Sequence, residues 1–135
     1  MMRILKIKHL VQIVFLLFIL SCSKDEVENT GKPGIPNLVF TENNAPCLDT
    51  NVINDQQSSV TFRWSLTRDT NSYRLFVTNL STDQLQQFST ENPEVSATLN
   101  HGQPYSWRVR AFGPKGTAPS ESETWKFYLS GPAVD

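Results

Sequence analysis

The chain has 135 residues, 12 of them basic and 13 acidic, and a formal net charge of −1 at pH 7. That length suits one domain of ordinary size behind a short leader. The absence of a basic surplus argues against a nucleic-acid partner.

The amino end carries Arg3, Lys6 and Lys8, followed by Leu10 to Leu20 (L-V-Q-I-V-F-L-L-F-I-L). A basic start, an apolar core and small Ser21 describe a secretory signal. An apolar run this short falls below the roughly 20 residues that a spanning helix needs. An uncleaved anchor helix is the alternative, and the charges of Ser23-Lys24-Asp25-Glu26 argue against it. Ile19-Leu20-Ser21-Cys22 resembles the lipobox of bacterial lipoproteins. That resemblance implies removal of residues 1–21, a diacylglyceryl group on Cys22 Sγ, and acylation of the new amino terminus. Each buried methylene contributes about 0.8 kcal/mol, and two chains make attachment stable. Ser23-Lys24-Asp25-Glu26 is similar to the short acidic export signals of surface lipoproteins in Bacteroidota. With Ser23 rather than an aspartate after Cys22, the resemblance implies the outer membrane and its outer face.

Loss of the leader leaves nine basic against thirteen acidic residues, a net charge of −4. It also leaves Cys47 without an intramolecular partner. Cys47 reads as a small buried hydrophobe, with a reactive or pairing thiol as the alternative. Residues 22–36 combine the modified cysteine with a polar, Gly- and Pro-rich tether. Its 14 residues from Ser23 to Pro36 span about 20 Å as a flexible coil.

Residues 37–130 read as one folded domain and 131–135 as a short tail. Within the domain, apolar residues recur with the two-residue period of strands. The first run is Asn37 to Phe40. Val60 to Ser65 follows, with Val60, Phe62 and Trp64 on one face. Tyr73 to Thr78 turns Tyr73, Leu75 and Val77 inward. A weaker run from Gln84 to Thr90 holds Leu85 and Phe88. Val95 to Leu99 aligns Val95, Ala97 and Leu99. Tyr105 to Phe112 aligns Tyr105, Trp107, Val109 and Ala111. Thr124 to Leu129 aligns Trp125, Phe127 and Leu129. Seven strands without a helical pattern predict an all-β antiparallel sandwich. Its expected core includes Phe62, Trp64, Tyr73, Leu99, Tyr105, Trp107 and Trp125. Large rings bury about 150–250 Å² each, enough to dispense with disulfides.

Three features give this domain a resemblance to the fibronectin type III family. Trp64 stands where the family's core tryptophan ends the second strand. Leu99-Asn100-His101-Gly102-Gln103-Pro104-Tyr105 has the family's Leu, Gly and Tyr spacing, and Tyr105 to Gly113 matches its sixth strand. The resemblance covers about Pro36 to Leu129. It implies a seven-stranded Greek-key sandwich and a tyrosine corner at Tyr105. An immunoglobulin domain proper would carry paired cysteines. Thr41 to Ser59 departs from the pattern as a long first connection, which is uncommon unless functional or partly ordered. Pro46-Cys47-Leu48-Asp49 could pack on the sandwich there, with Val52-Ile53 in an extra edge strand.

Catalytic chemistry is poorly provided for. His101 is the one histidine after the leader, and it reads as a solvated turn residue. A triad would need Cys47 or a serine about 3 Å from it. No zinc set, calcium loop, phosphate loop or Arg-Gly-Asp triplet is present, so no cofactor, metal or catalytic residue is expected. The outward positions are more informative. Arg74, Phe76, Arg108, Arg110, Lys126 and Tyr128 share one sheet face, joined by outward Ser106. Cation–ring stacking there contributes about 0.5–1 kcal/mol per exposed pair. The face is either a self-satisfied ladder or a docking surface for a protein or polysaccharide, with Phe76 and Tyr128 as aromatic platforms. Gly113 to Glu123, with Asp69 to Asn71, forms a second candidate. The expected function is a non-catalytic binding module on the outer membrane, with a structural spacer as the alternative.

Overall fold

The computed structural model describes residues 31–47 and 50–132. The leader, Cys22, most of the tether and the side chain of Cys47 lie outside the described residues. The chain forms strands β1 (Leu38–Phe40), β2 (Ala45–Cys47), β3 (Asn51–Asn54), β4 (Gln57–Trp64), β5 (Ser72–Asn79), β6 (Leu85–Thr90), β7 (Glu94–Asn100), β8 (Gln103–Phe112), β9 (Ser120–Glu121) and β10 (Trp125–Leu129). One sheet has β4 at its centre, with β7 along one side and β1 and β3 sharing the other. The second runs β2-β10-β8-β5-β6, with β9 continuing the β10 edge beside β8. The chain passes from the first sheet (β4) to the second (β5, β6), back to the first (β7), and again to the second (β8). Every pairing is antiparallel except that of β2 with β10.

This is the all-β sandwich that alternation predicts, with three short strands added. The long connection supplies two of them. β2 lies on β10, pairing Ala45 with Phe127 and Pro46 with Tyr128. Proline is tolerated because this is an edge strand. β3 forms a hairpin with β4 that pairs Val52 with Ser58. All four β3 residues are exposed, so burial leaves no alternation in its sequence.

The core fills from both inner faces. Val60, Phe62 and Trp64 on β4, and Ala97 and Leu99 on β7, meet Tyr73, Leu75 and Val77 on β5 and Tyr105, Trp107, Val109 and Ala111 on β8. Phe127 and Leu129 of β10 are also buried, and Phe88, Val95 and Trp125 pack against the rim. The rings interlock in tilted and edge-on geometry, as aromatic quadrupoles prefer. Phe62 lies 5.0 Å from Trp107 and 5.8 Å from Phe127, Trp64 meets Tyr73 edge-on at 5.5 Å, and Trp107 meets Trp125 edge-on at 6.0 Å.

The crossover from β7 to β8 is fixed by Tyr105. Its hydroxyl donates to the Asn100 carbonyl at 3.0 Å and accepts from the Asn100 N–H at 3.0 Å. Gly102 makes the intervening turn with φ 68, a conformation that costs glycine little. Burial raises the Tyr105 phenol above its ordinary value. At the other end of β8, a Cβ on Gly113 would come within 2.7 Å of the Asp69 carbonyl and 2.9 Å of the Gly31 carbonyl. That close approach seats the incoming segment beside the sandwich.

Tyr105→Phe keeps the ring and removes both corner bonds. The part-buried N–H and carbonyl of Asn100 then lose a partner, at a cost of about 0.5–1.5 kcal/mol for each bond. Urea denaturation should show a lower midpoint with an unchanged slope.

Candidate binding face

The register of β5 against β8 builds the candidate face. Arg74 pairs with Arg110, Phe76 with Arg108 and Thr78 with Ser106. On the far side of β8, Lys126 pairs with Ser106 and Tyr128 with Pro104. Since Tyr105, Trp107 and Val109 point into the core, the intervening side chains of β8 cover the outside.

Two guanidiniums roof one ring. The Arg108 Cζ lies 4.3 Å from the Phe76 centroid and that of Arg110 lies 5.3 Å from it. Phe76 is therefore only 7 % exposed. It lies on the predicted face but is no open platform, because the long arginine stems fold over it. Arg74 stacks similarly on Phe112 at 5.3 Å. Tyr128 differs, being 49 % exposed.

A single carboxylate holds the roof. Glu121 on β9 pairs with Arg110 across the strands. Its Oε1 accepts from Arg110 Nε at 2.8 Å, from Arg110 Nη2 at 2.6 Å and from Arg108 Nη1. The Arg110 hydrogen bond and the nearby charges of Arg108 and Arg110 hold the Glu121 carboxyl below its ordinary value of 4.5. Among the described residues, Arg74 and Lys126 have no carboxylate within ion-pair distance.

The open end of the face holds a cavity of about 430 Å³, lined by Asn44, Pro46, Leu80, Pro104, Lys126 and Tyr128 among others. Pro46 reaches it through β2, and Leu80 through the bond from its N–H to the Pro104 carbonyl at 2.9 Å. These residues come from separate segments. Sequence reading picked out Tyr128 and Lys126 and missed Leu80, an apolar residue in a turn, and Pro104, an outward position of β8.

The second candidate is drawn together at the opposite end of β8. The Asn71 N–H donates to the Phe112 carbonyl at 2.8 Å. Ser120 is buried and its hydroxyl donates to the Pro33 carbonyl at 2.6 Å, so the loop around β9 is tied to the incoming chain. Its contribution to the face is Glu121.

His101 is not the solvated turn residue expected. Its Nε2 lies 2.7 Å from Ser58 Oγ and its Nδ1 lies 3.1 Å from the Asp55 carbonyl. A carbonyl only accepts, so Nδ1 carries the proton and Nε2 accepts from the Ser58 hydroxyl. This has the local form of a Ser–His pair. Ser58 is fully buried, however, so its Oγ has no approach for a substrate. The contact instead clamps the β3–β4 hairpin to the β7–β8 turn. Among the described residues, no cluster of three His, Cys, Asp or Glu could hold a metal ion, and no helix is long and apolar enough to cross a membrane.

The sandwich defines the class: this is the fold of a fibronectin type III domain. Among solved structures the chain is similar to the fn3 domain of human collagen alpha-1(XX) chain, with a TM-score of 0.51 and 15 % identity over 74 % of this chain and 84 % of that one. It is also similar to a structure titled as a myokine, with a TM-score of 0.47 and 15 % identity over 66 % of this chain and 99 % of that one. No protein-family model and no curated relative matches the sequence.

Two substitutions test these geometries. His101→Ala strands the buried Ser58 hydroxyl and should cost about 1–3 kcal/mol; adding Ser58→Ala should cost less than the two single changes together, measured by denaturation. Glu121 stabilises the fold above its ordinary pKa, and that contribution disappears as pH falls through its lower folded value. The carboxylate is 44 % exposed, so solvent screening limits the effect to less than about 1 kcal/mol. Glu121→Gln should therefore melt slightly below the parent at pH 7, and the two melting curves should converge in acid.

Proposed function

We propose that this protein is a bacterial lipoprotein that presents a non-catalytic interaction domain on the outer membrane, at its outer face. Lipid on Cys22 is the anchor and the polar tether the spacer. The outer face of β5, β8 and β10 is the docking surface, with a protein or a polysaccharide as partner. One observation carries the docking role. Arg74, Arg108, Arg110 and Lys126 lie on the same outer sheet face as open Tyr128, in a chain whose mature charge is −4. Arginine and tyrosine on a rigid sheet are common sources of binding energy. The buried state of Ser58 supports the non-catalytic reading.

The Glu121 clamp favours a second reading, a structural spacer or scaffold subunit of an envelope complex. In that role Arg108 and Arg110 serve only the ladder.

Cys22→Ala should move the protein from the membrane fraction to the soluble fraction without changing its melting temperature. The Cys22 protein should be shaved from intact cells by added protease; protection until lysis would place it on the inner side and overturn the surface assignment. A photo-crosslinker at Tyr128 should capture a neighbour that is lost on Arg74→Glu with Lys126→Glu, and one at Lys126 a neighbour that is lost on Arg74→Glu. Capture that survives this charge reversal would support the spacer.

A further inference from the structure

Glu121 occupies its arginine pair in an unusual way. All three hydrogen bonds converge on Oε1, and no bond to Oε2 is present among the described residues. Two guanidiniums can hold a carboxylate through both oxygens, so the internal ligand uses part of what the site offers. The β9 backbone is fixed by Ser120, yet the Glu121 side chain is 44 % exposed. It can leave the pair by a rotamer change, with no movement of the strand.

We propose that Arg108 and Arg110, floored by Phe76, form a carboxylate-binding site that Glu121 occupies in the free protein. Its ligand is an extended protein segment with Glu or Asp four residues from a large apolar side chain. This rests on the docking role of the face proposed above.

Spacing and chemistry select that ligand. Pro104 at the cavity and Arg108 at the carboxylate site lie four residues apart on β8. At about 3.3 Å per residue they are about 13 Å apart, a distance an extended segment also covers in four residues with both side chains on one face. Lys126, opposite Ser106 between the two points, favours further negative charge. Pro46, Leu80, Pro104 and Tyr128 give the cavity an apolar wall. That wall suits a leucine or phenylalanine side chain, whereas sugar hydroxyls would find only Asn44, Lys126 and the Tyr128 hydroxyl as side-chain partners.

The test uses the purified full-length lipoprotein in detergent at low salt, with fluorescence anisotropy as the readout. The probe is a labelled eight-residue threonine peptide with Leu at its second position and Glu at its sixth. The wild type should bind it weakly. Glu121→Gln should bind about two- to fivefold more tightly, the scale of releasing an exposed ion pair. Arg108→Ala with Arg110→Ala should abolish binding, as should Gln in place of Glu in the peptide. Equal affinity for the Glu and Gln peptides, or no gain on Glu121→Gln in a protein that melts normally, overturns the proposal. So does polygalacturonate binding to Glu121→Gln that the peptide cannot displace, which would assign the site to an acidic polysaccharide. If no peptide binds while the Lys126 and Tyr128 crosslinks persist, the carboxylate site falls and the docking face stands. Loss of the crosslinks as well removes both.

Discussion

The contact on which the rest of the molecule depends is Phe62 against Trp107, at 5.0 Å across the two sheets. Each ring sits near the middle of its strand, and each touches a further ring, Phe127 and Trp125 respectively. Strand side chains alternate strictly, so fixing Trp107 inward fixes Arg108 outward and Phe62 inward fixes Arg63 outward. The outer face is therefore a consequence of the core. A one-residue slip of β8 would bury two guanidiniums and expose a tryptophan, a loss no surface interaction could offset.

That constraint lets the stabilising role and the proposed binding role share the same arginines. Arg108 covers Phe76 and removes apolar surface from water, while its charged edge stays accessible. A ligand carboxylate would meet that edge and leave the stacking intact. The exchange replaces one carboxylate with another, so the pair is never left as two uncompensated cations. Repulsion between Arg108 and Arg110 is thus relieved in both states.

The main strands and the inner faces were legible because apolar alternation over five or more residues suits a half-buried strand and hardly any other backbone geometry. The tyrosine corner was legible too, since its turn and ring lie within one short segment. β9 was hidden because it has only two residues, whereas β3, exposed at every position, was legible only through the apolar pair Val52-Ile53 within the long connection. The cavity was illegible because Pro46, Leu80 and Pro104 meet only through β2–β10 pairing and the Leu80 backbone bond. The His101–Ser58 contact joins residues 43 apart, and no local pattern signals it. Alternation assigned Phe76 to the correct side, but whether a ring is open depends on the reach of its neighbours' side chains. That reach follows from cross-strand register, which single-strand periodicity does not contain.

The ends of β8 also separate two tasks. The incoming chain is seated at one end, where Gly31 and Pro33 approach Gly113 and Ser120 holds the Pro33 carbonyl. The apolar cavity lies at the other, beside Pro104. Nine residue steps of about 3.3 Å put these ends roughly 30 Å apart before twist is considered. Under the proposed anchoring, the lipid on Cys22 is joined to the near end and the cavity lies at the far one. Confinement near the membrane also raises the effective concentration of any partner held there. A face that binds one exposed carboxylate weakly could then be occupied, because the tether supplies proximity that the contact itself lacks.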